Sequence, residues 1–486
     1  MELPMSEIMT VRDVLINWDS DLGVQDRELI VILSQGDSLS KIAGGADVYS
    51  INLAKALHKL GYNVIYLRLC LNCNKINIIR LPYIQMEIPS KTSAHMFLSF
   101  MLKDNVELLR DVLAKIFDYR KIKHIIVITP DIISLYYSLL IKNISLFKDK
   151  IMVIWRPGGN DFTCPLHTEV CPFSNSYTKT YGHQYTYPFF ITKCLPHIIQ
   201  THRLTPYHII VWPYLRNKII DNIDGILASR SVYIEGCKYL NFNKCFYVGF
   251  GIDTEIFKPR NKIEVIKNIL NNDYLQVIKN AQVFGDFYGL VNDILSYHDV
   301  TVIGYIGSTE PWWKNTTLLL NTFKNIAKSN DNIKLLIIGR HTKSLLPFLR
   351  NIPKDIIDRI TIIERIPHKY IPLLYNLFDI FINPSLLDSL EINTLEALAS
   401  GNITLASKKG CINDLKHLGI NSIITFDPDE YSLSSTLEVV LSDINSYRDR
   451  ALREIQQIHK QLSIEAFGRR LIDAINFIKE RRQQRV

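Results

Sequence analysis

Short unbroken runs of Ile, Leu, Val and Phe recur along the chain, each closed by polar residues, Gly or Pro. Between them apolar residues return every third or fourth position, the spacing of one helix face. In the first half the runs predict strands at 29–33, 64–67, 125–128 and 152–155. Between the first two, Tyr49, Leu53, Ala56, Leu57 and Leu60 share one helical face, and Gly61 ends that helix. In the second half strands are predicted at 302–306, 334–338, 360–363, 380–382, 403–406 and 423–426, again alternating with helical segments. Continuous apolar strands belong to parallel sheets covered on both faces, and their alternation with helices predicts an α/β, doubly wound fold. The 486 residues fit two or three domains. A charged, mixed-helical stretch over 260–298 is expected in or beside a hinge.

The chemistry concentrates at 383–407, NPSLLDSLEINTLEALASGNITLAS. This reads as a strand ending at Asn383, a polar turn, a helix beginning near Asp388 and ending at Gly401, and a second buried strand. Asp388 and Glu396 are eight residues apart, about 12 Å along such a helix. A helix N-terminus between two acids suits a phosphate flanked by hydroxyl-bearing sugars. Asp388 and Glu391 also have capping-box spacing, so Asp388 reads either as a ligand contact or as a helix cap. Glu396 lies among Leu395, Ala397, Leu398 and Ala399, where an acid is costly to bury without a partner; it binds a ligand or lies on a solvated face.

These residues resemble the donor-site signature of retaining nucleotide-sugar glycosyltransferases of family four, which have the GT-B fold. The matching run is Leu395-Glu396-Ala397-Leu398-Ala399-Ser400-Gly401, with Asp388 at the first acidic position. Gly44-Gly45 followed by Leu53-Ala54 resembles the same family's amino-terminal motif, and Gly225–Ser229 followed by VGFGIDTEIFKP at 248–259 resembles its passage into the second domain. The resemblance covers most of 27–477. It implies two Rossmann-like domains facing across a cleft: an acceptor-side domain over 1–255, a hinge insertion over 256–300, a nucleotide-sugar domain over 301–460, and a basic helix over 461–486 crossing back onto the first domain. It implies transfer of a sugar from a nucleoside diphosphate to a glycan, lipid or small acceptor, with retention and without a metal or other cofactor. Donor contacts are expected from Gly44, Gly45, Ser308, Lys314, Ile366, Ser389, Leu390, Glu391, Ile392 and Glu396. Lys314, Asp388, Asp161 and Arg156 are the catalytic candidates.

The pattern departs from the family at two places. Lys314 stands at the family's phosphate-binding lysine, but Ser308 occupies the position of its arginine. A hydroxyl there carries no charge, costing the phosphate an ionic partner of about 1.5–3 kcal/mol. After the strand ending at Trp155, the family often presents a His-Gly-x-Asp element near the transferred sugar. Here Arg156-Pro157-Gly158-Gly159-Asn160-Asp161 has Gly158 at the histidine position. Arg156 would bring positive charge to the donor or an anionic acceptor, and Asp161 would bind a hydroxyl; either instead holds the loop together. These gaps keep two other readings open: a GT-B enzyme that isomerises or phosphorolyses a sugar, and a catalytically degenerate binding module.

Charge and composition add less. The net charge is +8, and no nucleic-acid module pattern is present. No apolar run has the length of a membrane span, and the N-terminus lacks the layout of a secretory signal, so a cytoplasmic chain with reduced thiols is expected. The last segment carries Arg469, Arg470, Lys479, Arg481, Arg482 and Arg485 on an amphipathic helix, which either packs against the body or lies peripherally on the inner membrane face. Cys70 and Cys73, with Cys164, His167 and Cys171, offer zinc-type ligands, though nothing in the spacing shows that the two groups meet. The aromatic-rich stretch 164–190, with Tyr177, Tyr181, Tyr185, Tyr187, Phe189 and Phe190, is a candidate acceptor region.

Overall fold

A computed structural model describes residues 28–36, 45–70, 73–74, 77–80, 83–90, 103–120, 122–147, 149–157, 219–239, 242–271, 274–297, 299–309, 314–386, 391–408, 412 and 414–483. The chain divides into two compact units. Glu28–Gly36, the described residues of Ala46–Gly251 and residues 467–483 form the first, and Gly45 with the described residues of Ile252–Ala466 the second.

The first unit holds an eight-stranded sheet of β1 (Glu28–Gly36), β2 (Val64–Cys70), β3 (Asn77–Arg80), β4 (Ile84–Pro89), β5 (His124–Thr129), β6 (Ile151–Trp155), β7 (Gly225–Ala228) and β8 (Cys245–Tyr247). Its order is β3-β4-β2-β1-β5-β6-β7-β8, parallel throughout except for the β3–β4 pair. Ile30 and Val31 in β1, Ile126 and Val127 in β5 and Val153 in β6 are all buried, which is why these strands read as unbroken apolar runs. The Gly45–Lys59 helix follows β1, and its Leu53, Ala56 and Leu57 are buried as their spacing predicts.

The second unit holds seven strands: β9 (Gln282–Phe284), β10 (Thr301–Ser308), β11 (Ile333–Arg340), β12 (Ile360–Glu364), β13 (Ile380–Asn383), β14 (Ile403–Ser407) and β15 (Ile424–Phe426). Their order is β15-β14-β13-β10-β11-β12-β9, and only β9 runs antiparallel to its neighbour. From β10 the chain winds outward through β11 and β12; from β13 it winds the other way through β14 and β15. The direction reverses between β10 and β13, and the crevice outside the carboxyl ends at such a point is where doubly wound sheets bind ligands.

Four expectations change. Residues 256–300 are not a hinge insertion but part of the second unit. Helix Lys262–Asn271 buries Val265, Ile266 and Ile269, Lys262 pairs with Asp379 at 2.6 Å, and β9 completes the sheet edge. The chain passes between units at 251/252 and 466/467 rather than at 255 and 460. These crossings run side by side: Ile252 N–H donates to Leu462 O at 2.7 Å, and Gly251 lies so close to Phe467 that a Cβ there would sit 2.5 Å from the ring. The helix expected to begin near Asp388 begins at Ile392, with Glu391 at its N-cap. It ends in a Schellman turn, in which Asn402 N–H donates to Ala397 O and Gly401 adopts φ +83°. Last, the thiols expected to be reduced form Cys70–Cys73 and Cys237–Cys245 bridges, their Cα atoms 5.4 and 6.3 Å apart.

The basic C-terminal helix, Ile464–Gln483, uses its cations on the first unit. Arg470 donates to the carbonyls of Val248 and Phe250, Lys479 pairs with Glu28 at 2.6 Å, and Arg482 donates to Ile151 O at 3.0 Å. Among the described residues no helix is long and apolar enough to cross a membrane.

Candidate active site

The candidate site grows from the carboxyl ends of β10 and β13, the two strands flanking the reversal. After β10 the chain reaches Lys314, and Asn315, with φ +52°, turns it into the Thr316–Ile326 helix. After β13 it reaches Glu391, which enters the Ile392–Ala399 helix. Lys314 Nζ and a Glu391 carboxylate oxygen form a direct ion pair, both side chains largely buried. Two amides fix this geometry. Asn393 Nδ2 donates to Ile306 O of β10 at 2.5 Å, and Asn383 Nδ2 donates to Thr394 Oγ1 at 2.8 Å, so the helix start is tied to both strand ends.

One turn further along the helix lies Glu396, only 4% exposed. Its two oxygens have separate partners: His368 Nε2 at 3.0 Å from Oε1, and the Tyr375 hydroxyl at 3.1 Å from Oε2. Tyr375 also lies 3.0 Å from Asn393 O. Burial, and then the negative charges of Glu396 and Glu391, push the Tyr375 phenol well above its ordinary value, so it stays a neutral hydrogen-bond donor. Tyr305 in β10 is raised in the same way by burial and by Glu391, and its hydroxyl donates to Ser308 O at 2.9 Å. His368 is the outward face of the cluster, its side chain 33% exposed. A ligand hydroxyl reaching Glu396 would therefore meet His368 first.

Beside this cluster two neighbouring strands each carry a glycine one residue before the end. Gly307 of β10 and Gly339 of β11 pair in register, and a Cβ on Gly339 would fall 1.6 Å from Gly307 O. Arg365, with φ +59°, donates its N–H to Gly339 O at 2.7 Å and delivers the buried Ile366 beyond β12.

Of the residues singled out in the sequence, Ser308, Lys314, Glu391, Ile392 and Glu396 gather at the reversal, and Ile366 lies at the adjoining strand end. Gly45 is the first residue of the Gly45–Lys59 helix. Arg156 follows β6 in the first unit, buried over the Tyr49 ring. Gly44, Gly158, Asp161, Cys164, His167, Cys171, Asp388, Ser389, Leu390 and the aromatic stretch 164–190 lie outside the described residues. Sequence reasoning missed His368, Tyr375 and Asn393. For the first two the signal is chemical: a buried Glu396 demands partners, and His368 and Tyr375 supply them. Among the described residues the group with metal-ligand proximity is Cys70, Cys73 and Glu87, two of which are bridged to each other, so metal binding there would require reduction.

A cation on one strand end, a buried carboxylate behind a partly exposed histidine, and two facing glycines together offer contacts for an anion and for paired hydroxyls. The comparisons agree with that chemistry. The family model described as "Glycosyl transferases group 1" matches residues 300–443, the segment that carries the whole cluster. The lipopolysaccharide 1,2-N-acetylglucosaminetransferase of Salmonella typhimurium is 29% identical over 183 residues, covering 35% of this chain and 45% of that enzyme, so the match spans under half of that relative's length. Among solved structures, sucrose-phosphate synthase from Thermosynechococcus elongatus superposes with a TM-score of 0.64 at 14% identity, covering 93% of this chain and 99% of that one. Anabaena HepE in complex with UDP-glucose gives 0.58 at 13% identity, covering 92% and 99%. These structural likenesses show the GT-B fold, and within it residues 300–443 of the second unit match the family of group 1 glycosyltransferases.

Proposed function

We propose that the chain transfers a sugar from a nucleoside diphosphate to a hydroxyl-bearing acceptor, with retention at the anomeric carbon and without a metal. The observation that carries this reading is the joint placement of Lys314–Glu391 and His368–Glu396–Tyr375 at the sheet reversal of the second unit. Glu396 would hold the ribose hydroxyls, which replace His368 on Oε1 while Tyr375 keeps Oε2. Lys314 would turn from Glu391 to the diphosphate. As the bond from the anomeric carbon to the diphosphate oxygen breaks, a fixed cation offsets the charge gathering on the leaving group. The new bond forms to the acceptor oxygen, whose proton leaves with the phosphate. The UDP-glucose bound by HepE, which shares the fold, supports the donor class. Ser308, with no charge to add, leaves Lys314 as the cation in this arrangement.

The experiment is a calorimetric titration of the purified chain with UDP, GDP, ADP and their sugar conjugates, beside Glu396→Ala. Binding of one nucleotide that is lost in the variant supports the site and names the base. Equal affinity in both proteins removes Glu396 from the donor site. One observation favours a second reading: Lys314 is already neutralised by Glu391. A binding module without catalysis would keep that pair closed, bind nucleotide unchanged in Lys314→Ala, and show no turnover with any donor.

A further inference from the structure

At the carboxyl ends of the first unit's strands lies an arginine that the donor site does not use. Arg156 directly follows β6 and is held there by its own N–H, which donates to Thr129 O at 2.9 Å. It is 4% exposed. Its guanidinium carbon lies 3.6 Å from the centroid of the Tyr49 ring, yet its Nε and Nη1 are buried without a hydrogen-bond partner. No described carboxylate pairs with it. A ring face compensates a cation only in part, and a buried guanidinium with bare N–H groups is an unstable arrangement unless something else arrives.

The surroundings add positive charge. Arg230 follows β7, the next strand, and its guanidinium lies 5.8 Å from the Phe250 ring, itself edge-on to Tyr49 at 5.5 Å. Arg470 enters from the C-terminal helix and spends its Nε and Nη2 on neutral carbonyls, those of Val248 and Phe250. All three arginines act on Tyr49: burial raises its phenol, and Arg156, Arg470 and Arg230 each pull it back. The Tyr49 hydroxyl donates to Gly249 O at 3.2 Å, and Asn52 donates to Gly251 O at 2.8 Å, so the wall beneath the arginines is fixed. By contrast Arg68, equally buried in the same unit, meets Asp47 at 2.7 Å and Ser34 Oγ at 3.2 Å. The fold balances one buried arginine and leaves the other facing the strand ends where doubly wound sheets receive ligands.

We propose that Arg156, with Arg230 beside it, forms a phosphate-binding site on the first unit. Converging guanidinium groups favour a multiply charged tetrahedral oxyanion, and phosphate esters supply both the charge and several acceptor oxygens for the bare N–H groups. The group comes from one of two sources: a phosphorylated acceptor, or the diphosphate of the donor. The site deepens the glycosyl-transfer reading by adding an anion-recognising residue outside the second unit, and it is tested separately from that reading.

The test titrates the full chain with glucose 6-phosphate, inorganic pyrophosphate, UDP and, as an uncharged control, glucose. Wild type is compared with Arg156→Gln, Arg230→Gln and Glu396→Gln, each checked for folding by circular dichroism. Arg156→Gln is expected to weaken at least one phosphorylated probe tenfold or more and to leave glucose unchanged, with Arg156→Lys falling between. Loss confined to glucose 6-phosphate assigns the group to the acceptor; loss of UDP and pyrophosphate assigns it to the donor. Should Arg156→Gln not fold, the half-buried Arg230→Gln reads the same loss. Wild-type affinity for every phosphorylated probe in the folded variants overturns the proposal, as does failure of wild type to bind any of them. Unaltered UDP binding in Glu396→Gln would instead sink the donor-site reading and leave this one standing.

Discussion

At their amino ends the two sheets are fastened in the same way. In the first unit Asp224, just before β7, accepts from Val153 N–H at 2.7 Å, pairs with Lys142 at 2.7 Å and lies 3.8 Å from Arg482. In the second, Asp379, just before β13, accepts from Val302 N–H at 2.8 Å and pairs with Lys262 at 2.6 Å and Arg448 at 2.9 Å. Each aspartate thus joins a neighbouring strand to a lysine on a helix and an arginine from late in the chain. At the carboxyl ends the likeness stops. The second unit gives its acids partners, Lys314 for Glu391 and His368 for Glu396, whereas the first leaves Arg156 with two bare nitrogens. Compensated charge at one end and adjustable or uncompensated charge at the other separates what holds these sheets from what they present to ligands.

The comparison breaks most readily at the amino ends. Asp379→Ala strands a lysine, an arginine and a backbone amide together. Losing one partner of a buried ion pair costs about 3–5 kcal/mol, and the 41% exposure of the Arg448 side chain argues for the lower figure. Asp224→Ala should cost somewhat less, because its arginine is more distant. Urea denaturation followed by tryptophan fluorescence and circular dichroism checks both. A loss under about 1 kcal/mol in either variant would show that the aspartates are ordinary surface-type pairs and that the likeness between the units is superficial.

Next in size is Glu396→Gln at the carboxyl end of the second unit. The amide keeps the shape and a Tyr375 hydrogen bond but removes the charge. Charge-assisted hydrogen bonds contribute about 1.5–3 kcal/mol, so nucleotide affinity should fall about 10- to 100-fold with little change in melting temperature. If thermal stability falls and affinity does not, Glu396 is a core carboxylate satisfied by His368 and Tyr375, and the two ends of the sheet do not divide as argued.

The sequence disclosed the sheets because their strands are buried on both faces; β1, β5, β6, β11 and β12 are apolar almost without interruption. It concealed β9, whose Gln282-Val283-Phe284 sits at an edge and is half-buried throughout. It disclosed Glu396 through its apolar neighbours, but not His368 or Tyr375, which reach it from 28 and 21 residues away. The start of the helix was misplaced because Asp388 and Glu391 both suit an N-cap; the fold chose Glu391, where Asn393 could reach back to β10. The aspartate clamps were invisible for the same reason as the arginine cluster. Asp224 and Lys142 are 82 positions apart and Tyr49 and Arg156 further still, so only the completed sheet brings them together.

The smallest effect is the most discriminating, because it carries opposite signs at two residues in contact. Lys314→Ala removes the cation proposed to meet the diphosphate and should lower nucleotide affinity about tenfold and turnover at least as much. Glu391→Gln removes the anion that holds Lys314 in the ligand-free chain. A diphosphate no longer has to compete for the lysine, so affinity should rise about two- to fivefold, an increment within the range of a partly buried ion pair. Salt supplies the internal control: raising ionic strength weakens Lys314 against Glu391 and against phosphate alike, so the gain from Glu391→Gln should shrink as salt is added. A fall in affinity in Glu391→Gln, matching that of Lys314→Ala, would mean that Glu391 positions the lysine for its ligand. The charge pairing at this strand end would then be a fixed part of the site, closer in kind to the aspartate clamps than to a latch that the donor opens.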